Sequence, residues 1–179
     1  MNPPPYKIVG NRCVVLFREP CEAFCRALAE SKMLGGITAT QTFTQISFYA
    51  KNVCSLRVFL SQRREKLQYN QGMNLAQGLG LQLFYLEKHA HTFTWLDMDY
   101  ILVIDDSIFL CIDVEHLAPF DSLGRIWFTA PFSVKLPHLA PEIKRLTSLP
   151  SAVTYTAVYY SLGSLITFCL ADMETERAE

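Results

Sequence analysis

One stretch of the chain decides the fold, and it reads Ile101-Leu-Val-Ile-Asp-Asp-Ser-Ile-Phe-Leu-Cys-Ile-Asp113. Two apolar runs rich in β-branched side chains flank a polar triplet, Asp105-Asp106-Ser107. β-branched residues favour strands, and Asp and Ser side chains favour tight turns because they bond to nearby backbone groups. The stretch therefore predicts a buried β-hairpin that ends on an aspartate.

Two helices are predicted in the middle of the chain, in the stretch that leads up to this hairpin. The longer one runs from Gln68 to Lys88, with its leucines on one stripe and polar residues such as Gln82 off that stripe. A shorter helix is predicted from Ser55 to Gln62. The middle of the chain is therefore expected to be mostly helical.

The N-terminal part has a different pattern. A β-branched and aromatic run from Arg12 to Phe17 predicts a strand. A helix is expected from about Cys21 to Met33, ended by Gly35-Gly36. The segment from Thr38 to Tyr49 is rich in Thr, Phe and Ile and predicts one or two further strands.

The last apolar segment, residues 151–171, carries no charged side chain except at its flanks. Lys144 and Arg145 precede it and Asp172 follows it. About 20 apolar residues in a helix can span a bilayer, and a fully buried core helix has the same composition. The pattern therefore predicts a helix that either lies in the core or crosses a membrane.

Composition limits the class of protein. The chain has 179 residues, half of them hydrophobic, and a net charge of −1 with no basic stripe. These values favour one compact domain and argue against nucleic-acid binding.

The six cysteines lie in apolar runs without a Cys-x-x-Cys pair, which favours reduced thiols in an intracellular protein. No secretory signal is expected at the start of the chain. His89 and His91 are expected in a surface loop rather than in a metal site.

Two further motifs follow the hairpin. Ala140-Pro141-Glu142 comes after a loop, and Tyr160-Ser-Leu-Gly163 lies in the last apolar segment. In this order and spacing, the hairpin, the Ala-Pro-Glu motif and the apolar helix resemble the C-lobe of a protein kinase. In particular the chain resembles short, degenerate kinase-like proteins of large DNA viruses, with non-catalytic kinase C-lobe binding domains as the cellular analogue.

The resemblance identifies the positions where kinases keep their catalytic groups, and most of these positions hold other residues here. The lysine position falls on Phe17, the base position on Trp95 and the metal-binding asparagine position on Tyr100. Asp113 retains a metal-ligand side chain, but one aspartate without its asparagine partner makes a weak site. The resemblance therefore implies no catalytic residue, no cofactor and no resident metal.

The resemblance implies an α+β, minimal kinase-like fold. It consists of a small β-rich N-lobe with one helix and a mostly helical, truncated C-lobe that contains the β-hairpin. The expected divisions are an extended N-terminal arm over residues 1–11, a reduced N-lobe-like part over 12–52, a truncated C-lobe-like part over 53–171 and an acidic tail over 172–179.

The implied function is that of a catalytically inactive binding or scaffold module, which acts through a protein partner or by self-association. One alternative is a membrane-attached or virion structural protein anchored by residues 151–171, although membrane attachment is the less favoured reading. Another is an atypical kinase with Asp97 or Asp99 as base. The expected location is intracellular, either cytoplasmic or virion-associated. The interaction candidates are aromatic side chains: Trp127, Phe128, Phe132, Tyr159 and Phe168.

Overall fold

The computed structural model describes residues 6–63 and 65–170, and this part of the chain has a mixed α+β fold, as predicted. Its strands are β1 (Tyr6–Val9), β2 (Arg12–Leu16), β3 (Thr38–Ala39), β4 (Gln45–Tyr49), β5 (Val53–Ser55), β6 (His91–Phe93), β7 (Ile101–Ile104), β8 (Ile108–Cys111), β9 (Leu117–Pro119), β10 (Arg125–Phe128) and β11 (Ser151–Thr154). Its helices are α1 (Glu22–Ser31), α2 (Leu56–Arg63), α3 (Tyr69–Lys88), α4 (Pro141–Lys144) and α5 (Ala157–Leu170). The predicted acidic tail over 172–179 lies outside the described residues.

The N-terminal strands form one antiparallel sheet in the order β1-β2-β4-β3. Alternation along β2 places Cys13 and Val15 in the core, on the face that also buries Phe24 and Leu28 of α1. Part of the predicted N-terminal arm is β1, which is joined to β2 by a turn in which Gly10 has a φ of 63°. A glycine at the first position of a two-residue hairpin turn supplies this positive φ without strain.

The predicted hairpin is present as β7 and β8, paired from Ile101 opposite Cys111 to Ile104 opposite Ile108. Its turn contains Asp105 and Asp106, with φ values of 48° and 59°. Two positive φ values are typical of the hairpin turns whose twist matches that of the strands, and aspartate tolerates them better than most residues.

The long helix α3 packs closely against β8. A Cβ added at Gly78 would lie 2.7 Å from the carbonyl oxygen of Phe109, so only glycine allows the backbones this approach. On the neighbouring side, a Cβ added at Gly72 would lie 2.6 Å from the side chain of Leu170 at the end of α5. Gly78 and Gly72 thus allow α3 to approach β8 and the end of α5 closely.

The last apolar segment differs from the prediction. The helix begins at Ala157 rather than Ser151, because Ser151–Thr154 pairs with β10 as strand β11. Val153 is buried in this pairing, and its β-branched side chain suits a strand. Over the described residues, no helix combines the length and the apolar character needed to cross a bilayer.

Two hydrophobic cores result. The main core combines the N-terminal sheet, α1, α3, the hairpin and α5. The small core lies under the β10–β11 pair and consists of Trp95, Ile126, Phe128, Leu139, Ala140, Ile143, Val153 and Ala157. The segment from β10 to β11 is therefore fixed by its own buried side chains.

Candidate functional site

Three of the four kinase-equivalent positions come together at the base of the hairpin. Tyr100 directly precedes β7, and its carbonyl accepts a hydrogen bond from the backbone N–H of Ile112 at 2.9 Å. The ring of Trp95 lies 4.4 Å from the ring of His116, measured between centroids. Nδ1 of His116 in turn lies 2.8 Å from Oδ2 of Asp113. Trp95, Tyr100 and Asp113 are thus neighbours in space.

The carboxylate of Asp113 is turned inward, since the residue is only 1% exposed. His116 is its side-chain partner, and Oδ1 has no hydrogen-bond partner among the described residues. The hydrogen bond from Nδ1 raises the pKa of His116 above its ordinary value, while burial acts in the opposite direction. An imidazolium at His116 would therefore neutralise the buried carboxylate within the protein itself.

Trp95 is a core side chain. It is 6% exposed, belongs to the small core and lies 5.9 Å from the ring of Phe132, between centroids. An indole has one N–H donor and no basic nitrogen that could accept a proton at neutral pH. The position therefore contributes packing between the small core and His116.

Phe17 is also buried, and it supplies no cation. Its ring meets Phe24 edge to face at a centroid distance of 5.4 Å, as expected for a stable aromatic pair. The adjacent Arg18 points to solvent and pairs with Glu115 at 3.2 Å. Both side chains of that ion pair are exposed, so it contributes little to stability.

The two carboxylates proposed as alternative bases are both near Arg57. Nε of Arg57 donates to Oδ1 of Asp99 at 2.6 Å, and a second guanidinium nitrogen lies 3.8 Å from Oδ1 of Asp97. Oδ1 of Asp97 also accepts the backbone N–H of Asp99 at 2.9 Å. These contacts favour a structural role for both carboxylates in the loop before β7.

A cavity of about 900 Å³ opens between the start of α1 and strands β6 and β9. His89 and His91 lie on its wall, on either side of the turn at Ala90, and Nδ1 of His91 is 2.7 Å from the carbonyl oxygen of His89. Across residues 6–63 and 65–170, no group of three or more His, Cys, Asp or Glu side chains is arranged to hold a metal ion.

The interaction candidates differ in their accessibility. Trp127 is 51% exposed, and Tyr159 and Phe168 are also on the surface. Phe128 is buried in the small core, and Phe132 packs against it at 5.1 Å between ring centroids. The candidates that remain available for contact are therefore Trp127 on β10 and the two aromatic residues of α5.

Trp127 is held in place by its surroundings. Its Nε1–H donates to Oδ2 of Asp121 at 3.3 Å, and the guanidinium of Arg125 lies 5.4 Å from the centre of its ring. Nε of Arg125 donates to the same carboxylate oxygen at 3.0 Å. Leu123, in the turn between them, is 71% exposed. The half-exposed indole is thus fixed in orientation next to a second exposed apolar side chain.

Gln82 is buried, although the sequence pattern placed it off the apolar stripe of α3. Its side-chain amide donates to the carbonyl oxygen of Cys111 at 2.7 Å, and its Oε1 accepts the backbone N–H of Cys111 at 2.9 Å. The backbone of Cys111, at the end of β8, thus bonds to the side chain of Gln82 where a further strand would otherwise pair. A glutamine within a leucine-rich helix carries no sequence signal for such a contact.

All six cysteines are free, in agreement with the predicted reduced thiols. Burial raises the pKa of Cys13, Cys25 and Cys169 to about 11. Thiols with raised pKa values carry little thiolate at neutral pH and are poor nucleophiles. These three side chains are therefore core residues.

Neither the protein-family models nor the curated proteins searched contain a match to this chain. The kinase resemblance therefore rests on the order and spacing of its sequence motifs alone.

Proposed function

We propose that this chain is a catalytically inactive, kinase-like binding or scaffold module that acts through protein–protein contacts. The observation that carries the proposal is the place of Trp95. Its indole falls at the position that the kinase resemblance assigns to the base, and it packs in the small core against His116. A side chain that packs in a hydrophobic core and cannot accept a proton suits a scaffold and does not suit a phosphotransferase.

The other kinase-equivalent positions support the same proposal. Phosphoryl transfer depends on positioned charges: a lysine on the phosphates, metal ions on their oxygens and a base near the acceptor hydroxyl. Phe17 offers an apolar ring in place of the lysine. Asp113 is bonded to His116, and burial is the main cause of the raised pKa of Tyr100. This set of side chains has lost the charges that the reaction needs.

The order of elements also supports kinase ancestry. A four-stranded antiparallel sheet with one helix precedes a long helix, a hairpin, the Ala140-Pro141-Glu142 motif and a final, partly buried helix. The β10–β11 pair gives the segment between the hairpin and α5 a fixed shape. A rigid segment that presents Trp127 can bind a partner with little loss of conformational entropy, which is the usual basis of a strong contact.

The first experiment tests nucleotide binding by the full chain. Thermal unfolding is measured with and without ATP and Mg²⁺ beside an active kinase as positive control. Saturation at 100 times the dissociation constant would raise the melting temperature by roughly 5–10 °C for a protein of this size. We expect no shift. A clear stabilisation, or phosphate transfer that is lost in Asp113→Ala, would overturn the inactive assignment.

A second experiment tests the binding role. Wild-type chain, Trp127→Ala and the control Val134→Ala are immobilised, and bound proteins from a cell lysate are compared by mass spectrometry. Val134 is exposed to a similar degree but lies outside β10. We expect a partner retained by wild type and Val134→Ala and lost with Trp127→Ala. Equal capture by all three would remove Trp127 from the proposed interface.

A further inference from the structure

Strand β1 is an edge strand of the N-terminal sheet, because β2 is its single strand neighbour among the described residues. Lys7, Ile8 and Val9 are all exposed, with Ile8 at 44% and Val9 at 57%. Edge strands with accessible apolar side chains are able to pair with another strand unless charges, prolines or bulges prevent it. Lys7 is the one charged side chain in β1.

The hydrogen bonds of β2 show which backbone groups of this sheet face outward. At one end, the N–H of Ala50 donates to the carbonyl of Asn11 at 3.0 Å. At the other end, the N–H of Phe17 donates to the carbonyl of Thr44 at 2.8 Å. Backbone groups alternate in direction along an antiparallel strand. The odd-numbered residues from 11 to 17 therefore bond to β4, and the even-numbered ones face β1.

The register of β1 on β2 extends this alternation to the edge. Arg12 is opposite Val9 and Val14 is opposite Lys7, so Val9 and Lys7 direct their backbone groups toward β2. The backbone N–H and C=O of Ile8 consequently point away from the sheet. An incoming strand could thus bond to Ile8 without disturbing the existing pairing.

We propose that β1 pairs antiparallel with β1 of a second copy of this chain, centred on Ile8, so that the two four-stranded sheets become one continuous sheet. In this register Ile8 faces Ile8 and exchanges two hydrogen bonds with it. Lys7 faces Val9 of the other copy, and Tyr6 faces Gly10. A second copy fits this edge because no like charges lie directly opposite each other and both strands expose the same apolar side chains.

The side chains of Lys7 and Val9 project from the same face of the sheet, since they are two residues apart. The stem of each Lys7 would cover the exposed Val9 of the other copy while the ammonium group stays in water. An edge of four residues gives a small interface, so the dimer is expected to be weak and dependent on concentration. This inference rests on the proposed binding function and names self-association as one of its contacts. Its test does not depend on whether the chain binds a nucleotide, so the two proposals can fail separately.

The test is sedimentation equilibrium of the full chain at low ionic strength, over roughly 10–500 µM. We expect the average mass of the wild-type protein to rise toward that of a dimer. Val9→Lys puts a lysine opposite Lys7 twice in each dimer and should weaken association by roughly tenfold. The matched control is Leu16→Lys, which adds the same charge at a site 51% exposed on the same face but away from the edge. It should leave the dimer intact.

A charge swap tests the register. The double variant Lys7→Glu, Val9→Lys places a carboxylate opposite each new lysine and should restore association, and added salt should weaken that effect. Ile8→Pro removes the outward N–H while the bonds to β2 remain, and it should abolish the dimer. Circular dichroism and thermal unfolding check that each variant is folded. A wild-type chain that stays monomeric throughout, equal effects of the two lysine substitutions, or a swap that fails to restore association would each overturn the proposal.

Discussion

Replacing His116 by phenylalanine is expected to lower the free energy of unfolding by about 3–5 kcal/mol at neutral pH. Asp113 is buried, and its side chain has a single hydrogen-bond partner among the described residues, Nδ1 of His116. Phenylalanine keeps a ring in contact with Trp95 but removes the Nδ1 hydrogen-bond donor to Asp113. The substitution therefore isolates the effect of leaving a buried carboxylate unpaired.

The structure indicates which end of that range applies. The side chain of His116 is 38% exposed, so water can reach the site once the imidazole is gone and can relieve part of the penalty. We therefore expect a loss near 3 kcal/mol, which is still well above the 0–1 kcal/mol of an exposed ion pair. Urea unfolding at 25 °C, followed by circular dichroism, measures the difference. A loss below about 1 kcal/mol would mean that the carboxylate has another partner or stays solvated.

A double-mutant cycle removes the contribution of ring packing. Asp113→Asn has nearly the same volume and no charge, so His116→Phe should cost much less in that background. The coupling energy between the two positions is expected to be about 1–3 kcal/mol. Additive effects would contradict a direct bond.

The pH dependence follows from the raised pKa of His116. A group whose pKa is raised by folding stabilises the protein fully below its unfolded pKa of about 6.5 and loses that contribution as the pH passes its folded pKa. The stability of the wild type should therefore decline above pH 6.5, and His116→Phe should lack that decline. An NMR titration of the imidazole checks the shift directly, and Asp113→Asn should lower the measured pKa.

Four further substitutions test the packing of the site. Gln82→Leu leaves the backbone N–H and C=O of Cys111 unpaired and should cost about 2–4 kcal/mol in urea unfolding, whereas a cost near zero would mean that water replaces both bonds. Gly78→Ala should lower the melting temperature, because the new Cβ would collide with the backbone of Phe109. Gly80→Ala lies on the same helix, and its Cβ would meet nothing within 4 Å. It should therefore raise the free energy of unfolding by up to about 1 kcal/mol. Trp95→Ala should cost about 3–5 kcal/mol and release the small core, which proteolysis near residue 130 would detect.

The elements whose signals are local could be predicted from the sequence. The hairpin follows from two apolar runs and an aspartate-rich turn, and α3 follows from its leucine stripe and differs from the predicted bounds by one residue. The predicted helix at the end of the chain was too long because apolar composition alone does not separate a strand from a helix. The pairing partner of Ser151–Thr154 lies in β10, more than 20 residues away in the chain.

The chemistry of the site was harder to predict, because its contacts depend on position in space. Cys111 and Gln82 are separated by 29 residues, and the sequence gives no reason to place a glutamine against the end of a strand. The sequence marks Asp113 as a weak metal-ligand candidate, but it does not predict the bond between Asp113 and His116. Asp113 and His116 are three positions apart in the chain, and a short 3-10 turn between them brings their side chains together.

A carboxylate base at the position of Trp95 would conflict with the packing of the small core. An aspartate at this position would supply the carboxylate that kinases use as base, but it would also remove a large ring from the small core and leave a charge among its apolar side chains. The lost packing alone is expected to cost about 3–5 kcal/mol, and burying the new carboxylate would add to that cost because the surroundings are apolar. We therefore expect Trp95→Asp to unfold at a lower temperature than Trp95→Ala, with the gap closing at low pH as the new carboxyl group is protonated. If Trp95→Asp were instead as stable as the wild type, the small core would not depend on the indole, and packing could not explain why an aromatic residue stands at this position.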